Sequence, residues 1–388
     1  MTFTRRQFLG SALPVGALAL TAYAGSSTGL LAKDASAAPP AMPDRTVVLA
    51  GDSILLKPQA YADLLQSLLQ KHDQANDFYL KGGAVTELEA KFSALLGKED
   101  TVMLPTGTLA NHIAVRLLCG DARHALVQEE SHLYRDEADS VPILSGINLV
   151  PLATGKAAPT LEEMKAAIDR AEIGPYPIKV GAIALESPVR RADGATVPPE
   201  LIADIATIAR AKGIGMHLDG ARLLLMSGMP GFDPKRYCAP FDTVYVSLYK
   251  YLNAPYGGVL SGPKALMDKA RQMRHIFGGT LLHGWQAALP ALDALDGFTE
   301  RFAAVRTAGD RLLDRLNKTS GFKVRRVEHG SNIAFVDISA KRLAGLEERL
   351  KRADIHIQKV LGDSLELTFN ESLLRQSTDE LVAAFAGG

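Results

Sequence analysis

Short apolar runs compatible with β-strands recur along the chain at residues 125–127, 147–150, 180–185, 214–218 and 243–247. Between them lie longer stretches with helical spacing, such as residues 161–171 and 199–212. Such alternation predicts an α/β fold, a mostly parallel sheet covered by helices on both faces. After about residue 290 the rhythm changes. A long helical stretch over 297–317 leads to an apolar run at 332–338 and a final strand–helix pair, which predicts a small C-terminal α+β domain. The expected division is a Pro-rich leader at 38–45, a large domain over 46–290 and a small one over 291–388.

Composition narrows the function more than the fold. The 388 residues carry 43 Lys+Arg against 43 Asp+Glu. With no basic surplus to neutralise phosphates, nucleic acid is not an expected partner. Two cysteines, Cys119 and Cys238, cannot build a disulfide framework or a four-thiolate zinc site, and the nine histidines show no metal-ligand spacing. No metal is expected.

The first 37 residues stand apart. Arg5-Arg6 precede a mildly apolar run over 8–24, interrupted by Gly10, Pro14 and Gly16, and Ala35-Ser36-Ala37 offers a small-residue cleavage site. This resembles a twin-arginine export signal, so the protein is expected to meet the twin-arginine machinery as a precursor and to work in the periplasm or otherwise outside the cytoplasm. An uncleaved anchor or an amphipathic helix is the alternative. Removing the segment takes away Arg5, Arg6, Lys33 and Asp34 and leaves the remainder slightly acidic.

Three segments carry candidate chemistry. In Pro105-Thr106-Gly107-Thr108, ahead of a helical run, Gly107 and Thr108 open a helix with free N–H groups, a hydroxyl and the positive dipole end, which suits a phosphate. Asp219, in His217-Leu218-Asp219-Gly220-Ala221-Arg222, closes an apolar strand, where open α/β sheets bind their ligands. A carboxylate there is costly unless it meets a cation, and a protonated pyridine nitrogen would serve. Lys250, in Ser247-Leu248-Tyr249-Lys250, follows another buried strand, an expensive site for an ammonium and a sensible one for a lysine held as an imine. Phosphate cradle, pyridinium partner and Schiff-base lysine together match the demands of pyridoxal phosphate.

At this point the chain resembles the fold-type-I threonine aldolase and β-eliminating lyase family. The match runs through Glu87-Leu88-Glu89 and Leu96-Gly97-Lys98, Pro105-Thr106-Gly107-Thr108, Ser131-His132, the Asp219 and Lys250 segments, and residues 274–279. The resemblance implies the pyridoxal-phosphate transferase fold, with pyridoxal 5'-phosphate on Lys250 and Asp219 on the ring nitrogen. It places His132 on the ring face and Gly107, Thr108 and Ser247 among the cofactor contacts. Arg222 would meet the cofactor's phenolic oxygen or the substrate carboxylate. Lys250, His132 and Asp219 are the expected catalytic residues, and a homodimer or homotetramer the expected assembly. Tyr79 falls in a segment resembling the family's substrate loop.

Departures from the family pattern gather on the substrate side. Gly51-Asp52-Ser53 lacks the usual leading serine, and Glu186-Ser187-Pro188-Val189-Arg190-Arg191 lacks the usual histidine. Thr280-Leu281-Leu282-His283 replaces a segment whose arginine reaches into the partner subunit. Glu366 stands where a family arginine grips the substrate carboxylate, a reversal of charge. The expected enzyme is a lyase that cleaves a β-hydroxy-α-amino acid other than simple threonine to glycine and an aldehyde. Arg190 would supply a new carboxylate grip, and Glu366 would meet an amine or hydroxyl. Another reaction of the same cofactor on an amino acid (β-elimination, racemisation or transamination) and a non-catalytic exported binding protein are the alternatives.

Overall fold

In the computed structural model the described residues are 44–71, 76–173, 175–358 and 360–387. The export signal and nearly all of the leader lie outside them. Residues 45–387 form one compact unit.

The strands, in chain order, are β1 (Val47–Leu49), β2 (Asp100–Leu104), β3 (His124–Gln128), β4 (Asn148–Leu152), β5 (Val180–Glu186), β6 (Gly215–Asp219), β7 (Thr243–Ser247), β8 (Gly258–Gly262), β9 (Phe322–Arg326), β10 (Ile333–Ile338), β11 (Ile355–Ile357) and β12 (Ser364–Thr368). Seven of them form the central sheet in the order β2-β8-β7-β6-β5-β3-β4. Neighbours from β4 to β7 pair in parallel, and β8 runs against both β7 and β2. Strands β5, β7 and β8 are buried along their whole length, as a sheet covered on both faces requires.

Local chemistry sets the helix ends. Thr160 and Glu163 form a reciprocal capping box at the start of the helix Leu161–Glu172. Pro199 opens the helix Pro199–Lys212, and Gly213 closes it in the left-handed conformation. These two ends match the sequence expectation closely.

The C-terminal region holds the antiparallel sheet β12-β10-β9, preceded by the long helix Phe298–Lys318. Two details differ from the expected division. Strand β1 pairs in parallel with β11, so residues 47–49 pack with the C-terminal region. The expected boundary at 290 falls inside the helix Trp285–Leu295. A single apolar cluster joins Leu218 and Val246 of the large sheet to Val336 and Leu365 of the small one, so burial ties the two parts together. Cys119 and Cys238 are buried free thiols. No helix among the described residues is long and apolar enough to cross a membrane.

Candidate active site

Because β5, β6 and β7 are parallel and in register, their carboxyl ends share one edge of the sheet. Glu186 lies opposite Asp219, and Asp219 lies opposite Tyr245. Lys250 follows three residues after β7. Around this edge opens a cavity of about 400 Å³, lined by Gly107, Thr108, Asn111, His132, Asp219 and Lys250 among others. A larger cavity of about 620 Å³ lies elsewhere, between Met229, Phe302 and Phe369; it contains no lysine and shares no residue with the first.

Asp219 is buried and fixed from two sides. Its Oδ1 accepts the Ala221 N–H (3.1 Å) and its Oδ2 accepts from Asn111 Nδ2 (2.8 Å). Asn111 sits one turn into the helix Gly107–Cys119 and donates from the same nitrogen to Glu137 Oε1 (2.9 Å). Its Oδ1 meets His217 Nε2 at 3.0 Å, while His217 Nδ1 meets the Thr243 hydroxyl at 2.9 Å. Burial lowers the His217 pKa to about 4, so this imidazole is neutral near pH 7. With Asn111 Oδ1 able only to accept, the proton belongs on Nε2 and the Thr243 hydroxyl donates to Nδ1.

Glu137 also binds His132, whose Nδ1 lies 2.9 Å from Oε1. This contact raises the His132 pKa against an opposing effect of burial, whereas burial raises that of Glu137. The backbone N–H of His132 donates to Glu186 Oε2 (2.6 Å). Burial first, and the Asp219 charge second, raise the Glu186 pKa. Lys250 is shifted downward, by burial and then by the Arg222 charge, which favours the free amine that condenses with an aldehyde.

Expected site residues divide by position. Gly107, Thr108, His132, Asp219 and Lys250 meet at the cavity. Ser247 is fully buried behind it. Arg222 is engaged by Asp52, with its Nε 2.9 Å from the carboxylate, and Ser53 donates to the Lys250 carbonyl (2.8 Å). The segment Gly51-Asp52-Ser53 therefore braces the site from across the fold.

The structure does not bring Tyr79, Arg190 or Glu366 into the cavity wall. Tyr79 is 59% exposed. Arg190 gives its backbone N–H to Glu186 (3.0 Å) while its side chain lies exposed, and the neighbouring Arg191 pairs with Asp136 at the cavity wall. Glu366, on β12, accepts from Gln358 (3.2 Å) and Thr368 (3.1 Å). No arginine lines the cavity among the described residues.

The segment that holds Tyr79 packs on the departing segment that ends at His283. Asp77 is fully buried, and its carboxylate accepts the N–H groups of Gly284 and Trp285 at 2.9–3.0 Å, which caps the helix Trp285–Leu295. The Tyr79 N–H donates to Leu282 O (2.8 Å), and the Phe78 and His283 rings meet at 5.4 Å.

Sequence reasoning assigned no role to Asn111, Glu137 or Glu186. Asn111 could have been found from its spacing, four residues after Gly107 and therefore on the same helix face. Glu137, five residues after His132, had no such signal. Metal-ligand spacing was likewise absent, yet the ligand atoms of His132, Glu137 and Asp219 gather within 4.8 Å of one another. Asn111 donates to both carboxylates of that group, which makes it a hydrogen-bonded cluster.

Comparison with known proteins agrees with this geometry. Residues 67–339 match the β-eliminating lyase family. The chain is 27% identical over 313 residues to a probable low-specificity L-threonine aldolase of Arabidopsis thaliana, covering 79% of this chain and 86% of that one. It is 27% identical over 289 residues to an alanine racemase of Cochliobolus carbonum, covering 71% and 72%. Among solved structures, a putative L-allo-threonine aldolase of Listeria monocytogenes superimposes with a TM-score of 0.73 at 25% identity, covering 88% of this chain and 95% of that one.

The residues present fit pyridoxal phosphate. A helix N-terminus leaves the Gly107 and Thr108 amides without intrahelical acceptors. Ser247 Oγ is buried with no hydrogen-bond partner. Asp219 supplies a buried carboxylate for the ring nitrogen, and Lys250 an amine for the aldehyde.

Proposed function

Because the chain belongs to the β-eliminating lyase family, whose threonine-aldolase-like members are pyridoxal-phosphate-dependent lyases, we propose that it cleaves a β-hydroxy-α-amino acid other than simple threonine, releasing glycine and an aldehyde. Lys250 and Asp219, side by side at the strand ends of one cavity, carry the reading. Pyridoxal phosphate, when bound, supplies a sink for the electron pair left at Cα when the Cα–Cβ bond breaks. Lys250 holds the cofactor's aldehyde, Asp219 keeps its ring nitrogen protonated, and Gly107 and Thr108 hold its phosphate. The Nδ1–H of His132 donates a hydrogen bond to Glu137, which leaves the Nε2 lone pair free to take the proton of the substrate's β-hydroxyl.

The cation inventory limits which group can hold the substrate carboxylate. Arg222 is neutralised by Asp52, Arg191 by Asp136, and among the described residues no arginine lines the cavity. Arg190, exposed on the loop that touches Glu186, is the arginine we assign to the substrate carboxylate, with Glu366 meeting a polar group on a larger substrate. Holoenzyme given β-phenylserine is expected to release benzaldehyde and glycine faster than it releases acetaldehyde from threonine. A keto acid in place of both products would sink the aldolase reading, and equal rates on the two substrates would sink the substrate clause. The similarity to an alanine racemase favours a second reading, racemisation; interconversion of alanine enantiomers without aldehyde release would establish it.

We also infer export and self-assembly. The twin-arginine pattern supports the first. For the second, Phe78 and Tyr79 (both 59% exposed) and Leu282 (52%) form an apolar patch on the two segments that pack together. Native mass spectrometry of the exported protein should give two or four chains, each lacking residues 1–37. A monomer would contradict the assembly, and chains that retain Arg5-Arg6 would contradict the cleaved signal.

A further inference from the structure

Tyr245 is seated by two glycines. A Cβ on Gly107 would lie 2.1 Å from the Tyr245 hydroxyl oxygen, and a Cβ on Gly258 would lie 2.4 Å from its ring. The phenol therefore fits only because both positions lack a side chain. Tyr245 is 2% exposed and yet lines the cavity, with its hydroxyl against the first residue of the helix Gly107–Cys119. On the same face of β7, two residues along, Ser247 is fully buried and its Oγ has no hydrogen-bond partner. The Tyr245 hydroxyl thus stands at the N-terminus of that helix, whose first amides have no intrahelical acceptor, and the Ser247 hydroxyl two residues along is buried near enough to bear on the phenol.

We propose that the Tyr245 hydroxyl is a direct ligand of the cofactor's phosphate, donating to it beside the Gly107 and Thr108 amides while accepting from Ser247 Oγ. The inference rests on the assignment of pyridoxal phosphate to this cavity. Position decides for the phosphate over the ring, since the hydroxyl abuts the positive end of the helix, where an anion is favoured. The protonation state agrees. Burial, then the nearby Asp219 charge, hold the phenol well above its ordinary value, so it remains a donor throughout the neutral range.

The test compares Tyr245→Phe with wild type, both stripped of cofactor, for binding of pyridoxal phosphate and of pyridoxal, which lacks the phosphate. The expected result is a dissociation constant for pyridoxal phosphate raised about tenfold, the loss of one charge-assisted hydrogen bond. Affinity for pyridoxal should be unchanged. An equal loss for both ligands would put the hydroxyl on the ring, and no loss for either would leave it without a ligand role; each result overturns the proposal. Wild type is the control for the underlying reading, because failure of wild type to take up pyridoxal phosphate rejects the cofactor assignment itself. If Tyr245→Phe does not fold, Ser247→Ala serves instead. It should show a smaller loss, about threefold, that is again confined to the phosphorylated ligand. Unchanged affinity in that variant overturns the relay.

Discussion

Lys250→Ala protein is expected to lose both the visible absorbance band of the bound cofactor and at least about four orders of magnitude in turnover. The reason is chemical identity as much as position. Lys250 is the lysine in the cavity wall, and its amine is biased toward the neutral, nucleophilic form by burial and by the Arg222 guanidinium. Alanine offers no amine to the cofactor's aldehyde. The fold should survive, since removing a desolvated amine relieves a cost and breaks no side-chain hydrogen bond, although Glu186 and Asp219 lose a nearby positive charge. An unchanged melting temperature of cofactor-free protein would verify that. Retention of the band or of measurable turnover would mean that another amine holds the cofactor, and the assignment of Lys250 would be wrong.

The parts of this protein that could be read from its sequence are those whose cause is local. Strand β7 and the helix Pro199–Lys212 fall where the apolar runs and the Pro and Gly signals place them. Lys250 and Asp219 stood out because a charged residue directly after an apolar strand is conspicuous in one dimension. Strands β2 and β8 were not anticipated. Strand β2 becomes a strand by antiparallel pairing with β8, more than 150 residues away, and β8, which also pairs with β7, begins and ends in glycine, which weakens any local preference. The same distinction governs the site. Asn111 acquires its role only when β6 carries Asp219 to its amide and the loop after β3 carries Glu137 there. Arg222 looked available until β1 and its following turn, paired with β11 near the other end of the chain, delivered Asp52 to it. Substrate-side residues are the extreme case. The Phe78-Tyr79 and Leu282-His283 segments lie some 200 residues apart in sequence, and their packing was invisible before the two met in space.

Asp219→Asn should lower kcat by about 10²–10³-fold while the protein stays folded and still takes up the cofactor. The substitution preserves shape, so the deficit reads out charge. As an anion Asp219 holds a proton on the ring nitrogen, and the protonated ring is the better acceptor for electrons released from the substrate. A neutral amide cannot do this. A smaller structural effect accompanies the electronic one. Asp219 accepts from Ala221 on one oxygen and from Asn111 on the other. The amide can present its single oxygen to only one of these donors, and the other is left buried and unpaired at a cost of about 1–3 kcal/mol. The two effects separate experimentally, because the structural one lowers the melting temperature with or without cofactor whereas the electronic one appears only in kcat. The charge change should also reach Glu186, which pairs opposite Asp219 and whose pKa its charge helps to raise. Removing that charge should lower the Glu186 pKa, so an acid-side inflection in the pH–rate profile that belongs to Glu186 should move to lower pH. A variant with kcat within a few-fold of wild type would show that Asp219 does not govern the ring nitrogen, and the electron-sink role assigned to this strand end would fall.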